Sequence, residues 1–178
     1  MPSRTVDLIS YTVLSLSPIL QLAEATAGSG SACGSTFLNR IFAETLNNRF
    51  RGDKDWDEDP DIFATAMDHF ETVTKISFNG KESETVPVHR LPEQRGIKKG
   101  KLTLSASELK DIFEPVIGEI LTLIRKQIQQ TAEDVKLILL VGGFGSSFYL
   151  RRRIQHTFGS GIEVKMATNW CVLAHQAY

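Results

Sequence analysis

Residues 137–141 are consecutive apolar residues that run directly into two glycines, and this run constrains the fold more than any other stretch. An unbroken apolar run predicts a strand buried on both faces, as in a parallel sheet. Gly142 and Gly143 permit a tight turn and a close approach of the backbone to a ligand. Ser146 or Ser147 can cap the helix expected next, whose N-terminus would face an anion or polar ligand. The segment therefore predicts either a nucleotide site or a strand that simply turns at its glycines.

The phosphate-binding motifs with the strongest signatures are missing from this segment. No Gly-Lys-Ser/Thr follows, so it is not a P-loop, and it does not spell G-x-G-x-x-G, so a dinucleotide fold gains no support.

Composition is that of a globular chain without a dominant charge. The 178 residues are 42% hydrophobic and 23% charged, enough for one domain or two small lobes with a real core. A formal net charge of -1 provides no field toward nucleic acid or an anionic membrane. No apolar run approaches the roughly 20 residues of a membrane span. We therefore expect neither nucleic acid nor a membrane as a partner.

The cysteines and acidic residues indicate no resident metal. Cys33 and Cys171 form neither a disulfide framework nor a metal-ligand pattern, so a reducing, cytoplasmic compartment is expected. The sequence at its start, residues 1–4, shows no apolar core of a signal peptide. The alternating aspartates of residues 53–59 lack the glycine and terminal glutamate that an EF-hand needs.

Periodicity and turn residues predict the order of the elements. Strands are expected over residues 5–16, 20–27, 76–78, 84–89, 102–104, 137–141 and 162–166. Helices are expected over residues 36–50, 61–75, 105–131, 147–158 and 169–178, with an acidic turn over 51–60.

Four local signals refine this order. Ser35 or Thr36 is expected to cap the first helix. The pair at 79–80, Asn-Gly, predicts a hairpin turn, and the residues 105–108 predict a capping box. Pro115 predicts a kink or break in the long helix.

Four segments also carry a resemblance to a known family. They are residues 5–8, residues 25–40, residues 70–75 and residues 141–147. In this order they resemble the second lobe of the actin-like ATPase domain of the heat-shock protein 70 (DnaK-type) family. They look closest to divergent chaperone-like members common in fungi, and the similarity runs nearly end to end.

On the phosphate side, the resemblance implies roles for three positions. Thr5 and Asp7 match the tail of the family's second phosphate motif and would lie near the γ-phosphate and its Mg2+. Gly34 would approach the nucleotide, with Cys33 in place of a usual glycine.

On the adenosine side, the resemblance implies an ATP or ADP pocket. Glu71 and Lys75 would meet the ribose or adenine, although residues at this spacing can also form an ordinary surface ion pair. Four further residues would line the pocket, Gly142, Gly143, Phe144 and Ser146.

Several parts of the family pattern are missing from this sequence. Residues 1–4 stand where the family has Asp-x-Gly-Gly-Gly, and the sequence shows no first lobe and no peptide-binding domain. Near the end, the family's Gly-Ala pair reads Gln176-Ala177, and its acidic position is Asn169. Phosphoryl transfer depends on groups that surround the γ-phosphate. We therefore expect no meaningful ATPase activity from this chain alone.

The resemblance implies an α/β fold, that of an actin-like ATPase (ribonuclease-H-like) lobe with an inserted smaller α+β subdomain. Residues 5–32 and 113–178 would form the core subdomain with a mixed sheet, and residues 33–112 the insertion. The Pro115 region would be the hinge.

The favoured function is a partial nucleotide-binding domain of a chaperone-like ATPase that binds ATP or ADP weakly. A non-enzymatic interaction module, or a relic that has lost nucleotide binding, is the first alternative. A sugar- or acetate-kinase lobe of the same superfold is the second. The partners expected are an adenine nucleotide and a complementing actin-like lobe or another protein.

Overall fold

Three small sheets and seven α-helices make up the mixed α/β fold of residues 5–167, the part of the chain that the computed structural model describes. The strands are β1 (Val6–Ser15), β2 (Gln21–Ser31), β3 (Glu84–Pro87), β4 (Ile97–Lys98), β5 (Lys101–Leu104), β6 (Leu137–Leu140) and β7 (Glu163–Met166). The helices are α1 (Thr36–Phe50), α2 (Lys54–Glu58), α3 (Pro60–His69), α4 (Lys75–Ser77), α5 (Ala106–Gln130), α6 (Gly142–Gly145) and α7 (Phe148–Phe158). The helix predicted over residues 169–178 lies outside the described residues.

The sheets are small and separate. β1 pairs with β2 in an antiparallel hairpin, as predicted. β6 pairs in parallel with β7, which agrees with the parallel setting predicted for β6, although the identity of its partner strand was not predicted. A third, antiparallel sheet has the order β3-β5-β4, in which β4 was not predicted. Within residues 5–167, β1 and β6 belong to different sheets, so the predicted single mixed sheet is wrong there. The physical reason is that no described strand bonds to both of them, and the hairpin packs directly on α5.

The hydrophobic core is built around α5. Its buried side chains recur every three or four residues and so share one face of the helix. Phe113 on this face meets Phe70 edge to face at 6.1 Å, and Phe70 stacks on Phe42 of α1 at 4.0 Å between ring centroids. All three rings are fully buried, so α1, the α3 region and α5 form one well-packed unit.

α5 is a single helix of 25 residues that continues through Pro115, so of the predicted kink or break the break is wrong, and the kink stays a prediction. Phe113, Val116 and Ile117 on either side of the proline are buried, and their packing holds both halves of the helix in place against the lost hydrogen bond. At the N-terminus the predicted capping box is confirmed. Ser105 Oγ accepts from the Glu108 N–H at 3.3 Å, and Glu108 Oε2 accepts from the Ser105 N–H at 2.8 Å.

The segment before β3 differs from its prediction. Residues 75–77 continue the helix, so the strand predicted over residues 76–78 is wrong. The Asn79 side-chain oxygen accepts from the N–H groups of Lys81 and Glu82, at 2.8 and 3.3 Å. This side chain makes a local turn of the kind that asparagine favours, and no hairpin forms. Gly80 takes a φ of +82°, which only glycine adopts easily.

The acidic segment over residues 51–60 also departs from its prediction, which was a turn. It contains α2, and the carboxylates of Asp53 and Asp59 cap helices by accepting from the N–H groups of Asp55 and Asp61. The aspartates therefore accept hydrogen bonds from backbone N–H groups that have no partner within the first turn of a helix. Ser35 precedes α1 but makes no such side-chain bond, so it is not a side-chain cap.

Candidate functional site

Lys75 is a lysine buried inside the fold, with only 6% of its surface exposed. Its Nζ donates to Asn39 Oδ1 at 2.8 Å and lies 3.8 Å from Glu71 Oε1. Lysine is almost never fully buried unless it is paired. The structure therefore confirms that Glu71 and Lys75 lie together, in a setting unlike a solvated surface pair.

Asn39 of α1 completes this cluster, and sequence reasoning did not single it out. Its Nδ2 donates to Glu71 Oε2 at 3.0 Å while its Oδ1 accepts from Lys75. Asn39 follows the buried Leu38, so α1 places it at the border of its apolar face. The signal in the sequence was a polar residue at the edge of a helical apolar stripe, within a segment already matched to the family.

A π-helical turn over Phe70–Thr74 carries Glu71, and Lys75 follows it directly at the start of α4. The N–H of Lys75 bonds back to the Phe70 carbonyl, five residues earlier, because the helix is wider here. Phe70 anchors the turn by stacking on Phe42, and the buried Thr74 Oγ1 has no hydrogen-bond partner among residues 5–167. π-Helical turns of this kind are frequent at functional sites.

Burial sets the electrostatics of the cluster. It lowers the pKa of Lys75, and the Glu71 carboxylate partly opposes this by favouring the charged ammonium. The Glu71 side chain is 38% exposed and thus faces solvent at the mouth of the cluster. A carboxylate acceptor, an amide and an ammonium donor meet at one place, a set suited to the hydroxyls and ring nitrogens of a nucleoside.

The glycine segment lies beyond the carboxyl end of β6, where parallel sheets place their ligands. Gly142 takes a φ of +83°, and a Cβ at Gly142 or Gly143 would meet no atom within 4 Å. Phe144 is half-buried against the core, and Ser146 is exposed, with its Oγ 3.5 Å from the Gly142 carbonyl. The backbone is therefore open to a ligand at the two glycines.

β6 itself is less buried than its sequence predicts. Leu137 and Leu139 are 46% and 52% exposed, whereas Ile138 and Leu140 pack against the core. The prediction of a strand buried on both faces is wrong, because no described layer covers the second face. The predicted cap on the following helix is confirmed at Ser147, whose Oγ accepts from the Leu150 N–H at 3.4 Å.

The predicted phosphate-side residues lie at the start of β1 and before α1. Thr5 Oγ1 donates to Asp7 Oδ2 at 3.2 Å at an exposed position. The second Asp7 oxygen lies against Gly30, where a Cβ would be only 2.6 Å away. Gly34 is buried, and its carbonyl accepts from the Phe37 N–H at 3.0 Å. Burial raises the pKa of the neighbouring Cys33 thiol, which makes it a poor nucleophile.

The structure brings some of these predicted positions together and not others. Asn39, Glu71 and Lys75 bond directly to one another. The side-chain hydrogen bonds between Thr5 and Asp7, and between Ser146 and Gly142, each join residues of one segment and do not connect the two segments to this cluster. Two cavities, of about 270 and 490 Å³, lie elsewhere, the first between the hairpin and Glu133 and the second along α7.

Residues 5–167 contain no cluster of three or more His, Cys, Asp or Glu side chains able to hold a metal ion. Over the same residues, no helix is both long enough and apolar enough to span a membrane. In comparisons with known proteins, no family model matches the chain, and no curated protein matches it significantly.

Proposed function

We propose that this chain binds an adenine nucleotide, ATP or ADP, weakly, as part of the second lobe of an actin-like ATPase domain of the heat-shock protein 70 type. The observation that carries the proposal is the Asn39–Glu71–Lys75 cluster on its π-helical turn. Burying an ammonium group is unfavourable in free energy, so buried lysines are found where the group is paired or belongs to a functional site. At this cluster Glu71 remains open to accept from ribose hydroxyls.

The glycines after β6 support the same proposal independently. Residue 142 has a positive φ of +83°, a backbone conformation that favours glycine. The space around Gly142 and Gly143 admits a base or sugar. Both features are what a strand-to-helix turn at a nucleotide site requires, and Phe144 would supply an apolar wall.

The phosphate end is poorly equipped for hydrolysis. Thr5 and Asp7 offer one hydroxyl and one carboxylate, and Mg2+ bound there would take its remaining ligands from phosphate oxygens and water. Mg2+ would neutralise phosphate charge when bound. Because residues 5–167 contain no group of three or more His, Cys, Asp or Glu side chains able to hold a metal ion, the proposed activity is binding without appreciable turnover by this chain.

Calorimetric titration with ADP and with ATP, each with Mg2+, tests the proposal. We expect saturable binding to the unmodified chain and binding about tenfold weaker or more in Asn39→Ala and Lys75→Ala, since each removes a hydrogen bond to a charged group. Lys54→Ala is the matched control, because Lys54 and Glu58 form an exposed pair at the same spacing. No heat from a folded chain, or equal losses in all three variants, would contradict the proposal.

The β1–β2 hairpin favours a second candidate function, an interaction module. Ile9, Tyr11 and Val13 are 55%, 54% and 53% exposed and alternate along one face of β1. An exposed apolar face of this kind is typical of a protein interface. This candidate predicts that Val13→Lys weakens association of the chain in sedimentation velocity while nucleotide has no effect on it.

A further inference from the structure

One face of α7 lines a cavity of about 490 Å³ that the proposed nucleotide site does not use. Phe148, Arg151, Arg152 and Gln155 follow one another at helical spacing along this face, with His156 beside them. Asn79 forms part of the opposite wall, and no carboxylate lines the cavity.

The three consecutive arginines of α7 have different surroundings. Arg153 is half-buried and pairs with Glu114 at 3.1 Å. Over residues 5–167, neither Arg151 nor Arg152 forms a salt bridge, and both are exposed. The cavity therefore carries two guanidinium charges that no described acidic side chain neutralises.

The wall opposite α7 is held in place. Arg152 Nη1 donates to the Asn79 carbonyl at 3.1 Å, which draws this guanidinium across the cavity and leaves its other N–H groups available. Gly80 follows in a left-handed conformation, and a Cβ there would lie 2.4 Å from the Tyr149 ring. The Tyr149 ring thus packs closely on the turn that follows Asn79.

Phe148 adds an apolar surface at one end of the cavity. It is 51% exposed although it is the first residue of a helix whose next two residues, Tyr149 and Leu150, are buried. An aromatic ring beside two guanidinium groups can contact a planar apolar group while the arginines bind its charge.

We propose that this cavity binds an aryl phosphate, that is, a phosphate monoester on an aromatic ring. The guanidinium groups of Arg151 and Arg152, which form no salt bridge within residues 5–167, balance a phosphate dianion and match its oxygens with paired donors. Phe148 contacts the ring, and the cavity volume is that of a small-molecule site. The same group can arrive as a free small molecule or on a phosphorylated tyrosine side chain.

A titration with phenyl phosphate, followed in amide NMR spectra of the isotopically labelled chain, tests the proposal. We expect saturable shifts confined to residues 79–80 and 147–156, with inorganic phosphate and phenol each binding about tenfold more weakly than phenyl phosphate. Arg151→Ala/Arg152→Ala should abolish the shifts, and Phe148→Leu should lower the affinity for phenyl phosphate toward that for inorganic phosphate. A phosphotyrosine peptide that binds more tightly than phenyl phosphate would identify the protein-borne source.

Two controls separate this cavity from the nucleotide site. Arg51→Ala removes an exposed arginine whose side chain bonds only Asn48 among residues 5–167 and should leave phenyl phosphate binding unchanged. Asn39→Ala should also leave it unchanged while weakening ADP binding. The proposal is overturned if phenyl phosphate leaves the spectrum of the folded chain unchanged, or if the double arginine variant binds it as the unmodified chain does.

Discussion

The helical region around α5 and the β1–β2 hairpin are both rich in apolar side chains, yet only the first buries them. Phe42, Phe70 and Phe113 are fully buried and in contact with one another. Ile9 and Tyr11 on the hairpin leave more than half of their surface in water. The difference lies in the layers, since a helix or sheet face is buried only when a second element packs on it.

The hairpin is attached to the fold by its other face. Gln127, buried near the end of α5, donates to Ser10 Oγ at 3.1 Å and accepts from Ser29. A two-stranded sheet is marginal without such support. The helical region is therefore complete as a packed unit, whereas the hairpin has one supported face and one uncovered face.

Replacing a buried ring and an exposed ring should give the largest difference in the free energy of unfolding between the two regions. Phe70→Ala should lower the free energy of unfolding by about 3–5 kcal/mol, because it removes the ring that contacts both Phe42 and Phe113. Tyr11→Ala should change it by only about 0.5 kcal/mol. Urea unfolding measures both, and equal losses would mean that the hairpin face is covered in solution.

Two glycines have the same backbone conformation but different surroundings, one packed and one open. Gly80 and Gly142 have φ values of +82° and +83°. Alanine should cost about 1–2 kcal/mol at either position through backbone strain. At Gly80 a further 1–3 kcal/mol or so is expected, because the Tyr149 ring must move, whereas Gly142 faces open space. Thermal unfolding of the two variants gives the ranking, and a larger loss for Gly142→Ala would show that its surroundings are occupied.

The pH dependence of Lys75 gives the smallest expected effect. Burial lowers its pKa from the usual 10.5, so the unfolded chain binds this proton more tightly than the folded chain. At a pH below this lowered pKa, Lys75 is charged in the folded chain, and burying that charge lowers the free energy of unfolding by its full amount. As the pH rises from there toward 10.5, the unmodified chain should gain stability relative to Lys75→Met. Urea titrations at a series of pH values measure the difference, and a gap that is constant over this range would rule out a buried ammonium.

Local sequence signals predicted much of the fold. The β1–β2 hairpin, the capping box at Ser105 and the cap at Ser147 follow from short-range chemistry, and all three are confirmed. Residues 76–78 were misassigned as a strand because the apolar Ile76 and Phe78 suit either element, and the helix in fact continues through residue 77 beyond the turn anchored by Phe70. The break considered at Pro115 does not occur, because a local rule takes no account of the packing on both sides of the proline.

The candidate site was only partly predictable. The spacing of Glu71 and Lys75 gave an ion pair but not its burial, which depends on α1 and therefore on long-range packing. Asn39 joins the cluster from 32 residues away, and no local pattern indicates such a contact. The exposure of Leu137 and Leu139 depends on which elements cover β6, and a strand's own composition does not report this.

Hydrogen exchange of the backbone amides, measured with and without ADP and Mg2+, examines the packing of the two regions and the proposed nucleotide site together. Without ligand, we expect slow exchange in α1 and α5 and faster exchange in the β1–β2 hairpin. With ADP, protection should rise at residues 39, 70–75 and 142–147 and stay unchanged in α2. Protection of the hairpin equal to that of α5, together with no change at residues 70–75 and 142–147 on adding ADP, would contradict both the comparison and the proposed function.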